Sequence, residues 1–165
     1  MSAPAGPSSH SGQVMLLGIG GSTYAMPVAA VREIVRLPAV TRVPGLPAFV
    51  TGLANVRGRV LAVLDLRPLL QLEASRGERL VILDRADASV PAASTAAGRG
   101  VIGLIVDSAL ELVALPEGGL EPLPPGVPAE AAAVLDGITV VDGTPVAVLS
   151  PTGLLGLRAR LPGAA

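Results

Sequence analysis

Short apolar runs alternate with glycine- and proline-bearing breaks along most of the chain. VMLLGI (14–19) and TYAMPV (23–28) flank GGS, which predicts a hairpin. VREIVRL (31–37) mixes apolar and charged positions at the short period of a half-buried strand. RVLAVLDL (59–66) follows Gly58, and Pro68 then opens a short helix, where its missing N–H would have no partner anyway. RLVILD (79–84) and GVIGLIVD (100–107) predict two more strands, joined by an Ala/Ser-rich segment, 85–99, that reads as a loop. LELVAL (110–115), GITVV (137–141) and TPVAVL (144–149) complete the series, the last two joined by an Asp-Gly turn. A proline-rich connection precedes that pair, and a short helix near SPTGLLGL follows it. Residues 1–12 and 158–165 read as tails, the first of them disordered for want of any apolar period. About ten short strands with minor helices predict an all-β architecture of barrels or a sandwich.

The strand pattern repeats. GLANVRGRVLAVLDLRPLLQL (52–72) aligns without gaps to GITVVDGTPVAVLSPTGLLGL (137–157), sharing among others Gly52, Gly58, the run Ala62–Leu64 and three leucines. VREIVRLP (31–38) aligns to ALELVALP (109–116) with a common Glu, Val, Leu and Pro. Two related β units follow, about 13–76 and 77–157, each expected to hold its own small core. Shared positions are those the fold demands: the glycines for turn geometry, the aliphatics for packing. Asn55, Arg57, Arg59 and Asp65 are replaced by Val140, Asp142, Thr144 and Ser150, so the unit closes without them. That comparison moves Arg57 from scaffold toward function.

Composition narrows the function classes. The chain is 50% hydrophobic and 15% charged, with mean hydropathy +0.63, yet no run approaches the 18 or so unbroken apolar residues of a membrane helix. No basic segment precedes an apolar one as in a signal peptide, so a soluble cytoplasmic protein without direct membrane insertion is expected. Cysteine is absent, which excludes disulfides and thiolate metal sites. Every basic residue is Arg, spread along a chain of net charge −1, and Tyr24 and Phe49 are the two aromatics. Neither a basic stripe nor base-stacking rings are present, so no nucleic-acid partner is expected.

Catalytic chemistry finds little to work with. GIGGS (18–22) has the glycine density of a phosphate loop but lacks the Lys and precedes a strand, so it reads as a hairpin turn. His10 lies in the tail, out of reach of any Ser/His/Asp set. Asp65, Asp84 and Asp107 each end an apolar strand, where Asp starts turns. No catalytic residue, cofactor or metal is expected. The rival class, a small hydrolase on a β scaffold, would need convergent titratable groups that one tail histidine cannot furnish.

GLANVRGRVLAVLDL resembles the signature of CheW-like domains, a Gly-x-x-Asn-Leu-Arg-Gly turn leading into a strand that ends Asp-Leu. YAMPVAAVREIV, VTRVPGLPAFVTG, GLIVDSALEL and LDGITVVDGTPVAVLSPTGLL are similar to further family segments, so the resemblance spans about 13–157. Val56 stands where Leu is usual and Ala62 where Pro is common. The resemblance implies two five-stranded SH3-like β-barrels and a role without catalysis. That role is the coupling of bacterial chemoreceptors to a CheA-type histidine kinase, in the cytoplasm at membrane-associated receptor arrays. The partners implied are the receptor's cytoplasmic hairpin tip, the kinase's regulatory domain and other CheW-like domains. A CheW-like scaffold in another pathway, such as pilus-driven motility, is the alternative. The starting Met and short tails favour a free-standing adaptor over a fragment of the kinase. The binding positions that carry over are Val31, Glu33, Asn55, Arg57 and Gly58. Arg57 suits either a partner carboxylate or an intramolecular tie to its own loop. Asn55 reads as a turn cap and Gly58 as conformational. Glu33 has a counterpart, Glu111, which leaves a shared fold role open. Val31, two residues before Glu33, is expected on the same strand face.

Overall fold

The computed structural model describes residues 12–83, 101–116 and 119–157. The N-terminal tail short of Gly12, the C-terminal tail, Asp84 and the 85–99 segment lie outside the described residues. Ten strands form: β1 (Gln13–Ile19), β2 (Ser22–Pro27), β3 (Val31–Arg36), β4 (Val50–Val56), β5 (Arg59–Leu64), β6 (Arg79–Leu83), β7 (Ile102–Val106), β8 (Ser108–Ala114), β9 (Leu135–Val141) and β10 (Thr144–Leu149). Three short helices join them: α1 (Arg67–Leu70), α2 (Ala129–Ala132) and α3 (Pro151–Leu157). Pro68 sits in the first turn of α1, as its position in the sequence requires. Among the described residues no helix is long and apolar enough to cross a membrane.

The strands make two five-stranded sheets, in the orders β8-β1-β2-β10-β9 (sheet A) and β3-β6-β7-β5-β4 (sheet B). The all-β reading therefore holds, and so does the repeat, because β3, β4 and β5 occupy in sheet B the places of β8, β9 and β10 in sheet A. The expected cut at 76/77 does not separate the sheets. Sheet A takes β1 and β2 from the first half of the chain and three strands from the second, and sheet B does the reverse. Strands from the two halves meet at four pairings: the antiparallel β1–β8 and β3–β6, and the parallel Ala147↔Tyr24 with Val148↔Ala25 and Ala62↔Ile102 through Leu64↔Leu104. The link from β2 to β3 is one 3-10 turn (Val28–Ala30), and Asp107 alone joins β7 to β8. At both points the chain runs out of one sheet directly into the other. The two apolar strand pairs, β1–β2 and β6–β7, are equivalent in pattern, so their order along the chain does not tell which sheet each joins.

This exchange decides where the core sits. Leu80 and Ile82 face the interior of sheet B with Leu61, Val63 and Ile105, while Val81 and Leu83 on the other face of β6 point toward sheet A. Burial on both faces is why RLVILD lacks polar alternation. Sheet A has a matching small cluster around Val14, Leu16, Val146 and Val148. The expectation that each unit has its own core is thus half of the picture. The largest cluster lies between the sheets and draws Leu17, Ile19 and Met26 from one, Leu83, Ile102 and Leu104 from the other, and Leu69 and Leu154 from the helices. Each such fully buried side chain contributes about 1.5–3 kcal/mol.

Two elements differ from the sequence reading. β4 is a strand that the apolar runs do not predict, and α2 forms within the proline-rich connection ahead of β9, just after Pro128. Beside β4 and β9 the chain crosses back as isolated bridges, Thr41↔Leu53 and Glu121↔Ile138, with backbone hydrogen bonds of 2.7–2.9 Å and 2.8 Å. These bridges cover the sheet edges. They also explain the first glycine of the repeat, since a Cβ at Gly52 would run into the Thr41 carbonyl and one at Gly137 into that of Glu121.

Candidate functional site: the mouth of sheet B

The β4–β5 hairpin closes through a two-residue turn. Val56 pairs with Arg59, and between them Arg57 (φ 53°) and Gly58 (φ 82°) both lie in the left-handed region, the geometry of a type I′ turn. The duplicate turn has Asp142 (φ 49°) and Gly143 (φ 77°), the residue pair such turns favour. Arg at this position carries a cost of about 1–2 kcal/mol. Asn55 supports the turn, its Oδ1 accepting a hydrogen bond from the Gly58 N–H at 2.9 Å. The cap reading of Asn55 and the conformational reading of Gly58 are both what the geometry displays.

Arg57 leans across to β3, where its Nη1 lies 3.1 Å from Glu33 Oε2. The guanidinium side chain is 77% exposed, and such surface pairs contribute about 1 kcal/mol or less. The intramolecular tie therefore exists without recovering the cost of the backbone. Nor does the ion pair belong to the shared fold: Glu111 repeats the acid, but Asp142 stands in the place of Arg57.

Val31 is not beside Glu33. The register of β3 against β6 runs from Val31↔Leu83 to Glu33↔Ile82, so a bulge inserts Arg32 as an extra residue. Cross-strand partners share a face, which turns Val31 toward the inter-sheet core with Leu83 and Glu33 toward the mouth with Ile82. The same-face expectation fails at this bulge.

The structure gathers a site that the sequence reading held only in part. A pocket of about 360 Å³, open to solvent, has Val56, Leu61, Ile82 and Val101 as its floor and Arg32, Glu33, Arg57 and Arg59 as its rim. Arg59, whose place in the duplicate hairpin Thr144 takes, belongs to this rim although it is not among the positions the family resemblance implies. Arg32 gave its own signal as the charged neighbour of Glu33. Asn55 and Gly58 shape the turn from behind, and Val31 stays outside.

A second polar cluster lies at the junction of the sheets. Arg67 donates to Asp65 through Nε (2.8 Å) and Nη2 (2.7 Å), and through Nη1 to the Ser75 hydroxyl (3.1 Å) and carbonyl. The Ser75 hydroxyl in turn donates to Asp107 at 2.8 Å, and the other Asp107 oxygen accepts from the Gly20 N–H at 2.9 Å. Burial pushes the Asp65 carboxyl upward, but hydrogen bonds and the charge of Arg67 outweigh it and hold the group below its ordinary value. Asp65, which the repeat comparison had marked as free of the fold, is thus fully engaged in structure. Among the described residues no three His, Cys, Asp or Glu side chains converge as metal ligands.

Fold and site together define a small protein of two interlocked five-stranded β-sheets whose distinctive surface is a charged hairpin rim. The family model of the CheW-like domain matches residues 13–159, and the chain belongs to that family. Chemotaxis protein CheW of Bacillus subtilis is 31% identical over 118 residues, covering 70% of this chain and 68% of that protein. Protein PilI of Pseudomonas aeruginosa is 35% identical over 72 residues, 42% of this chain and 40% of the relative. The crystal structure of scaffolding protein TtCheW from Thermoanaerobacter tengcongensis superposes with a TM-score of 0.68 at 23% identity, covering 91% of this chain and 90% of that one. That likeness shows the fold.

Proposed function

We propose that this chain is an adaptor without catalysis of its own, coupling bacterial chemoreceptors to a CheA-type histidine kinase through the mouth of sheet B. The observation that carries this reading is Arg57, an exposed guanidinium in a backbone conformation that Asp or Asn would adopt at lower cost. Residues retained against a local structural preference concentrate at functional sites. In this reading Glu33 and Arg57 meet the partner, Asn55 and Gly58 hold the turn that presents them, and Val31 packs beneath. The partners are the receptor's cytoplasmic hairpin tip and the kinase's regulatory domain, with other CheW-like domains as further neighbours. The role places the protein in the cytoplasm, recruited to membrane-associated arrays. A second reading, the same adaptor role in a pathway such as pilus-driven motility, draws on the 72-residue likeness to PilI.

Calorimetric titration of a receptor hairpin fragment, and separately of the kinase regulatory domain, tests the proposal with wild type and Arg57→Asn. Asn keeps the turn, so the expected result is an intact fold with binding to at least one partner weakened tenfold or more, about 1.4 kcal/mol. Unchanged affinity for both partners would remove Arg57 from the coupling surface.

A further inference from the structure

Among the described residues, charge is segregated by sheet. All eight arginines among the described residues fall between positions 32 and 79, and the described residues 31–106 hold four carboxylates. The rest, 12–30 and 107–157, holds no arginine among its described residues and six carboxylates: Asp107, Glu111, Glu121, Glu130, Asp136 and Asp142. A net charge of −1 conceals this separation. The mouth lies on the basic side, with three arginines and one carboxylate above an apolar floor. Glu33 is already committed to Arg57. Arg59 makes no ion pair among the described residues, and Thr144 takes its place in the duplicate hairpin. The duplicate hairpin closes without that charge, and among the described residues no carboxylate neutralises it.

We infer that the mouth selects an acidic protein segment, one that seats an apolar side chain on Val56, Leu61 and Ile82 and sets a carboxylate against Arg59. Arg59 is then a specificity-determining residue. The inference rests on the adaptor reading of the mouth and adds the chemistry of the partner. An excess of positive charge around a cleft with low-dielectric walls focuses its field and raises association rates by about 10- to 1,000-fold. A basic segment meets like charge at the same rim and is turned away. The acidic half of a second copy carries suitable charge as well, and the test separates it from a foreign segment.

Stopped-flow association of the full chain with a receptor hairpin fragment, at ~50 and ~500 mM NaCl, reads the steering directly. Arg59→Glu should slow association about tenfold at low salt and flatten its salt dependence, with dissociation little altered. Arg76→Glu changes the net charge equally from outside the mouth and should slow it far less. Equal slowing by both variants, or a wild-type rate indifferent to salt, overturns the inference while leaving the adaptor reading in place. Arg59→Gln, which adds no repulsion, should give an intermediate rate, and a rate equal to wild type counts against a contact at Arg59. An NMR titration with a short Glu/Leu peptide and its Lys/Leu counterpart forms an independent arm. Shifts confined to residues 32–33 and 56–61, and produced by the acidic peptide alone, support the inference even if the receptor fragment fails to bind. Salt-sensitive self-association in sedimentation, abolished by Arg59→Glu, would make a second copy the occupant and overturn the assignment to a foreign segment.

Discussion

At the scale of single residues the informative comparison is between Arg57 and Asp142, which hold the same backbone conformation in duplicate turns. Asp and Asn enter the left-handed region readily because their short polar side chains bond locally. Arg has no such help, and the ion pair to Glu33 contributes too little to offset the difference. Folding stability should therefore survive the loss of Arg57. Arg57→Asn is expected to unfold in urea at a free energy equal to wild type or about 0.5–1 kcal/mol higher, with the slope unchanged. Destabilisation by more than about 1 kcal/mol would mean that the Glu33 tie holds the rim in place, and the case for Arg57 as a partner residue would lose its footing.

At the scale of elements, Gly52 shows how a repeated residue can encode a tertiary contact. Its missing Cβ lets the Thr41 carbonyl approach, and the bridge so formed covers the edge of β4. Gly52→Ala must push that segment away, and it should cost about 2 kcal/mol or more, as a thermal melt with hydrogen exchange at Thr41 and Leu53 would register. A melt like wild type, with both amides still protected, would show that the crossing segment yields freely. The sequence made these glycines visible through the alignment of 52–72 with 137–157, along with the hairpin turn and the order of strands. β4 escaped because VTGLANV sets Gly52, Ala54 and Asn55, residues strands disfavour, among its β-branched ones, though its alignment with GITVV locates it. The bulge at Arg32 escaped for a different reason. It depends on how β3 meets β6, which no pattern within β3 records, and so the placement of Val31 followed the wrong face. The repeat comparison also had a limit of its own: it singled out Asp65 together with Arg57, although Asp65 serves the junction between sheets. Two copies that occupy different neighbourhoods diverge for structural reasons as well as functional ones.

At the scale of the whole molecule, the exchange of strand pairs makes the two sheets interdependent. Neither 13–76 nor 77–157 contains the strands of one sheet, and the largest apolar cluster belongs to both sheets at once. The polar chain from Asp65 through Arg67, Ser75 and Asp107 to Gly20 adds a tie between the β1–β2 hairpin of sheet A and the α1–β6 connection of sheet B. Separating the sheets would expose the shared cluster, and a cost of about 1.5–3 kcal/mol for each large side chain leaves no intermediate with one sheet folded. Heating should accordingly give one transition, with calorimetric and van't Hoff enthalpies equal and amides of β2 and β6 losing protection together. Acid should follow the same route. Because the Asp65 carboxyl sits below its ordinary value in the folded protein, the Arg67 pair contributes stability in full above the unfolded value of about 4 and loses it as pH falls through the lowered folded value. Arg67→Met removes the partner, so its stability should be reduced at neutral pH and should fall less steeply on acidification. Two resolved thermal transitions, or an acid-unfolded sheet A beside a protected sheet B, would show instead that the halves fold as separable units and that the shared core couples them only weakly.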